Sequence, residues 1–392
     1  YYDGRANIPT EAVVVDADYL HENAEEFRAL VGYPSDPFAN KEWDITEESF
    51  SAYAQSEFSF DIGNDQRISG QFGLRYVNIS RDLTFITDDA DAIVTEGESS
   101  GDAFLPSFVV NYEPTENLRL RASYGETLRY PGFGALNPNI TYNPDITNVG
   151  YGTASGGNPD LEPTESKNYD VSIEYYFGDT NLIYATAFKR DIDGLVIDFA
   201  NRVTYEGEDY ILTQPDNASN GEMDGWEFGL VYFPQGLPEW LDGIGVQASY
   251  TILDSTQDIP VQNDAGEIIG TDTTPFFAVS DSSYNVTLAY EKRKFSARLS
   301  YVWRDDFLAT YEARLFANPL GIYNTPQSSL DAQLSYNISD NWTITFDATN
   351  LTDEEFHSYY ADPTQDHDFT RTHNFGNWLI GRTFAVGTRF SF

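Results

Sequence analysis

The chain has 392 residues, with 63 Asp and Glu against 22 Lys and Arg and a net charge of -41, so nucleic acid is excluded as a partner: phosphate binding needs clustered cations. Aromatics at 15% exclude a disordered acidic chain, which lacks them. With no cysteine there is no disulfide framework, thiolate metal site or Cys nucleophile, and no apolar run approaches the roughly 20 residues of a membrane helix.

The opening YYDGRANIPTEAVVV shows no signal peptide and reads as a fragment or a processed chain. His21–Val31 is the one helical candidate, with Glu22, Glu25 and Glu26 leading into Leu30 and Val31. From there the pattern has period two, and about thirteen strands are expected. Glu48–Ile62 and Gln66–Ile86 flank GNDQ. Ala103–Tyr112 and Asn117–Leu128 flank EPTE. Ser166–Phe177 and Asn181–Ile197 flank GDT. Met223–Phe233 and Ile244–Leu253 flank PQGLPEWLDG. Ser283–Glu291 and Lys294–Phe307 flank KR. Ser328–Asn337 and Trp342–Leu351 flank ISDN, and Leu379–Phe392 closes the chain.

These short turns alternate with long connections at 87–102, 129–165, 198–222, 254–282, 308–327 and 352–378. A soluble sandwich has no reason to sort its loops so; a transmembrane β-barrel has short periplasmic turns and long extracellular loops. The faces agree. Tyr169, Val171, Ile173, Tyr175 and Phe177 alternate with Asn168, Asp170, Ser172 and Glu174. A greasy face ended by aromatics suits lipid. Several candidates exceed the about 9–11 residues that cross a bilayer, where soluble strands run to about 5–6. In the last strand Phe384, Val386, Phe390 and Phe392 share one face, and Phe390 with Phe392 resembles the terminal signal read by the barrel-assembly machinery.

Three motifs then carry a family resemblance. NPDLEPTESKNYDVSIEYYF (158–177), ASYGETLRYPGFGALNPNI (122–140) and TITFDATNLTDEEFHSYY (343–360), with the final GRTFAVGTRFSF, resemble the barrels of TonB-dependent receptors from about residue 46 onward. The resemblance implies an all-β, antiparallel transmembrane barrel of about 22 strands, with long extracellular loops, short periplasmic turns and an N-terminal plug. This chain would supply about the thirteen C-terminal strands. Residues 1–45 would be the end of an extracellular loop and 46–392 the C-terminal part of the barrel, with plug, TonB-binding segment and early strands absent from it. The place implied is the outer membrane of a Gram-negative bacterium. The partners implied are the TonB complex, reached through the missing N-terminal part, together with outer-membrane lipid and lipopolysaccharide.

For chemistry the residues offer little. His21, His357, His367 and His373 match no metal-ligand spacing, and no nucleophile elbow is visible; neither enzyme, cofactor nor metal is expected. The acidic stretch 87–102 lacks the order of an EF-hand loop. Ligand capture fits the long loops better. They mix aromatics with Arg and amides at Arg129, Tyr130, Phe133, Tyr142, Tyr151, Tyr205, Tyr210, Tyr311, Tyr323, Tyr359, Tyr360, Arg371, Asn377 and Trp378. Flat rings beside paired donors suit sugars, and the insert at 136–163 resembles proteobacterial receptors associated with carbohydrate uptake. An oligosaccharide is therefore the expected substrate. A ferric-siderophore receptor of the same fold, a passive porin-like or adhesin barrel and an outer-membrane hydrolase are the alternatives; an anionic ferric siderophore calls for a basic pocket.

Overall fold

The computed structural model describes residue 19 and residues 23–30, 43–63, 66–86, 94–146, 150–178, 180–262, 268–311, 321–361 and 373–391. The helix α1 (Ala24–Leu30) falls inside the expected helical stretch. Its entry is tied by the Asn23 amide, which donates to the Tyr19 carbonyl at 3.1 Å, and by the Tyr19–Phe27 ring contact.

In chain order the strands are β1 (Trp43–Asp61), β2 (Arg67–Ile86), β3 (Val94–Thr115), β4 (Leu118–Arg129), β5 (Ile140–Asn143), β6 (Gly152–Gly156), β7 (Thr164–Phe177), β8 (Asn181–Tyr205), β9 (Glu208–Tyr232) and β10 (Ile244–Gln262). They continue as β11 (Ile268–Thr274), β12 (Ser282–Lys292), β13 (Phe295–Arg304), β14 (Phe307–Tyr311), β15 (Gly321–Asn324), β16 (Gln327–Ser339), β17 (Trp342–Thr349), β18 (Glu355–Ala361), β19 (His373–Leu379) and β20 (Thr383–Phe390). One sheet runs β1-β2-β3-β4-β7-β8-β9-β10-β12-β13-β16-β17-β20. This path follows chain order and each pairing along it is antiparallel, as in a meander whose turns are short. Among the described residues β1 and β20 do not meet, so the sheet is an open arc of barrel wall.

Register carries the two faces across the whole arc. Tyr112, Leu120, Ile173, Ala185, Phe228, Tyr250, Tyr284 and Trp303 are successive partners. One residue away runs Asn111, Arg121, Ser172, Thr186, Glu227, Thr251 and Ser283. A one-residue slip would exchange the faces. The apolar face is bare: Val171 is 60% exposed and Val386 79%, which no water-soluble sandwich would leave along a continuous band. Aromatic pairs close the band at both rims. Tyr175–Phe177, Phe177–Tyr232 and Trp342–Phe390 lie at the short-turn end; Tyr76–Phe104, Tyr124–Tyr169 and Tyr284–Trp303 lie at the long-loop end. From Tyr169 to Tyr175 the strand runs about 20 Å, which at the about 40° tilt of barrel strands spans about 15 Å of the about 25 Å apolar belt of membrane barrels. The opposite face is a polar lattice. Arg190 meets Asp170 at 2.6 Å, Arg119 meets Glu113 at 2.8 Å, and Gln333 donates to Asp347 at 2.8 Å.

Five expectations are corrected above the long-loop rim. In the 87–102 connection residues 94–102 are strand, because β3 starts at Val94 rather than Ala103. The 198–222 connection is an extension of β8 and β9, each 25 residues long; they turn at Glu206 and Gly207, whose φ values of 52° and 86° suit a tight hairpin. β10 runs on to Gln262 and pairs with β11 inside the 254–282 stretch. The 308–327 and 352–378 stretches hold a second sheet, ordered β14-β15-β18-β19. β1 begins at Trp43, inside the stretch expected as loop.

Candidate functional site

Three groups of aromatic side chains stand above the rim. The first is built around Arg81, on the polar face of β2 and only 5% exposed. Its Nε donates to Glu47 Oε2 at 2.7 Å and its Nη1 to the Pro131 carbonyl at 3.3 Å. The guanidinium lies 5.1 Å from the Tyr130 ring and 5.4 Å from the Phe133 ring. Beside it Leu83, Phe85, Leu136 and Leu161 form a small buried core. The corner at 130–136 is thus laid onto the inner face of β2. Burial pushes the Tyr130 phenol up, against the pull of Arg81 in the other direction. Phe133 stays 41% exposed. Arg129 is exposed at the end of β4.

The second group is the tip of the β8–β9 hairpin. β5 pairs with β6, and β6 adds in parallel to β9 at 210–213. Gly152 allows this contact, since a Cβ there would lie 2.7 Å from the Tyr210 ring; at Gly157 it would lie 2.5 Å from the Ala135 carbonyl oxygen. Tyr142 stacks on Tyr205 with centroids 4.1 Å apart and planes 10° from parallel, and meets Tyr210 edge-on at 5.0 Å. Tyr210 is buried with Ala154 and Leu212, whereas Tyr205 is 45% exposed. Carboxylates surround the tip at Glu206, Glu208 and Asp209. Tyr151 is half-buried just before β6.

The third group is the outer sheet. Tyr359 stacks on Tyr323 at 5.6 Å and donates to Asp306 at 3.1 Å. It is 4% exposed, so it serves as core rather than as contact surface. Burial, then the Asp306 charge, raise its phenol well above the usual range. Tyr360 packs edge-on against Phe375. Asn377 is 2.5 Å from the His357 ring, and Trp378 is 47% exposed. Tyr311 ends β14, where its side chain is outside the described residues, as are Arg371 and Phe392. Phe390 stacks on Trp342 at 5.0 Å. Among the described residues no group of three or more His, Asp or Glu could hold a metal ion. Arg81, absent from the sequence-based candidates, is the residue that organises the first group; only its place in the polar register of β2 pointed to it.

A family model described as TonB dependent receptor-like, beta-barrel matches residues 3–351. Among solved structures, the ferric enterobactin receptor of Pseudomonas aeruginosa superposes with a TM-score of 0.55 at 15% identity, over 89% of this chain and 55% of that one. The siderophore receptor PiuA of Acinetobacter baumannii gives 0.55 at 16%, over 92% and 46%. The ferric yersiniabactin uptake receptor of Yersinia pestis gives 0.54 at 15%, over 89% and 46%. The chain therefore spans about half the length of these receptors. No curated protein matches it in sequence.

Proposed function

We propose, on the premise that this chain belongs to the TonB-dependent receptor β-barrel family, that it forms the C-terminal part of an outer-membrane receptor that imports an oligosaccharide. The inner polar face would enclose the plug supplied by the rest of the receptor, and TonB would draw on the inner-membrane proton gradient to open the passage. No bond-making step is assigned to the chain.

The Tyr142–Tyr205 pair carries the substrate class. Tyr205 presents one ring face to water while Tyr142 supports the other at 4.1 Å. A ring already fixed loses little rotamer freedom on binding, and its open face suits the C–H face of a pyranose. The carboxylates around it disfavour anions. A second reading follows from the fold neighbours, whose names mark them as receptors for siderophores; a ferric siderophore would then enter by another part of the mouth.

The full-length receptor titrated against a glycan panel and a ferric-siderophore panel separates the two. A saturable glycan response is expected, weakened about tenfold by Tyr205→Ala and far less by Tyr205→Phe, the size of one aromatic contact. Saturable siderophore binding with no glycan response would overturn the sugar assignment.

A further inference from the structure

Lys292-Arg293-Lys294 is the longest run of cations in this acidic chain, and it forms the turn between β12 and β13 at the periplasmic rim. The neighbouring turn folds over toward it on the apolar side. Tyr290, in the apolar register, donates its hydroxyl to the Trp240 carbonyl at 3.3 Å, and the Lys292 ammonium, on a side chain only 19% exposed, donates to the Glu239 carbonyl and faces the Asp242 carboxylate at 4.0 Å. Trp240 is left 72% exposed beside Arg293. The Arg293–Glu239 pair is 3.3 Å long with both side chains about 80% exposed, a surface pair that costs little to exchange for another anion.

Higher on the same face lies a trough of about 590 Å³. Ala185 and Ala248 make its low floor, with Tyr175, Ile183, Phe228 and Val286 among its walls. Ala248 is four residues above Ile244, which pairs with Tyr290, and the cationic turn begins two residues below Tyr290. The path along the strands is about 20 Å. At the about 40° tilt of barrel strands that is about 15 Å of depth, half of the about 30 Å hydrocarbon core. A lipid with its phosphate at the turn would end its chains at the trough.

We propose that this turn and trough form a docking track for one anionic phospholipid of the periplasm-facing leaflet, phosphate on Arg293, ring of Trp240 at the headgroup, one acyl chain over Ala185 and Ala248. The assignment rests on the membrane placement proposed above. It is independent of the substrate.

The test uses full-length receptor reconstituted in vesicles of equal phosphatidylglycerol and phosphatidylcholine, extracted in mild detergent, with retained lipid counted by native mass spectrometry. Phosphatidylglycerol should be retained over phosphatidylcholine, and Arg293→Glu and Ala248→Phe should each lower its retention at least fivefold. Both must keep the heat-modifiable migration of a folded barrel; if Ala248→Phe does not, Ala248→Leu replaces it. Equal retention of the two lipids, or retention untouched by both variants, overturns the track. Loss in Arg293→Glu alone overturns the trough as the seat of the chain. A receptor that retains no lipid yet inserts and binds glycan defeats only this inference; one that never enters the vesicles defeats the membrane reading itself.

Discussion

At Arg81 a cation has been taken out of water and each direction it faces is answered: Glu47 at 2.7 Å, the Pro131 carbonyl at 3.3 Å, and the rings of Tyr130 and Phe133. Deleting it strands a half-buried carboxylate and unseats the corner. Arg81→Met should lower the unfolding free energy by about 2 kcal/mol, read as a shift of the urea midpoint of the receptor in vesicles, and Arg81→Lys should recover the ion pair without the planar contact to both rings. Tyr359 gives a prediction in pH. Its phenol is raised above the ordinary value of 10.0 by burial, then by Asp306. A raised folded value means that its contribution is complete below the unfolded value and fades as pH climbs through the folded one. Above pH 10, then, the outer sheet of wild-type receptor should become progressively easier to cleave by protease, and Tyr359→Phe should flatten that rise. A parallel loss in both proteins would remove Tyr359 as its cause.

The turn after β17 shows how a loop pins strand ends together. Asn350 sits at a φ of 53°. Its amide Nδ2 donates to the carbonyls of Glu354 and Gly381 at 3.3 and 3.2 Å, and its Oδ1 accepts from the Glu354 amide at 2.8 Å. Its own backbone amide donates to Asp331 Oδ1 at 2.9 Å. One residue thereby ties β16, β17 and the approach to β20. Asn350→Ala loses the side-chain bonds and places a Cβ in the left-handed region without the Asn compensation, a cost of about 2 kcal/mol; Asn350→Gly relieves only the backbone part. The urea midpoints should fall in the order wild type, Gly, Ala. Asn350 belongs to a motif visible in the sequence, and so do the strands that cross the membrane, because a bilayer on one side and a polar lumen on the other impose strict alternation. Where both faces meet water that constraint ends. Residues 198–222 mix Tyr, Ile, Asp and Asn on either side, so the extended β8–β9 hairpin had only Glu206-Gly207 as a local cue. The parallel addition of β6 to β9 joins residues 58 apart and leaves no periodic trace. Arg81 is legible as a lumen-facing residue, but its burial depends on a corner 50 residues downstream.

Across the whole arc the decisive feature is that the two faces never exchange from β1 to β20. The apolar face is continuous in register, bounded by aromatics at both rims, and bare of any covering element among the described residues. That pattern is stable only if the solvent on that side is itself apolar. β12 allows both faces to be tested three residues apart. Leu288 is 50% exposed and lies between Val246 and Leu299 in the apolar register. Asn285 points to the lumen, where its amide donates to Ser249 Oγ at 2.6 Å. An arginine facing the middle of the bilayer costs about 2–4 kcal/mol, whereas lumen positions are water-filled or polar. Leu288→Arg should therefore reduce the heat-modifiable assembled fraction sharply and lower the urea midpoint, while Asn285→Arg should leave the assembled fraction near wild type and lose at most the one hydrogen bond. Equal losses would put both faces in the same solvent, as in a soluble sandwich, and the membrane reading would fall with them.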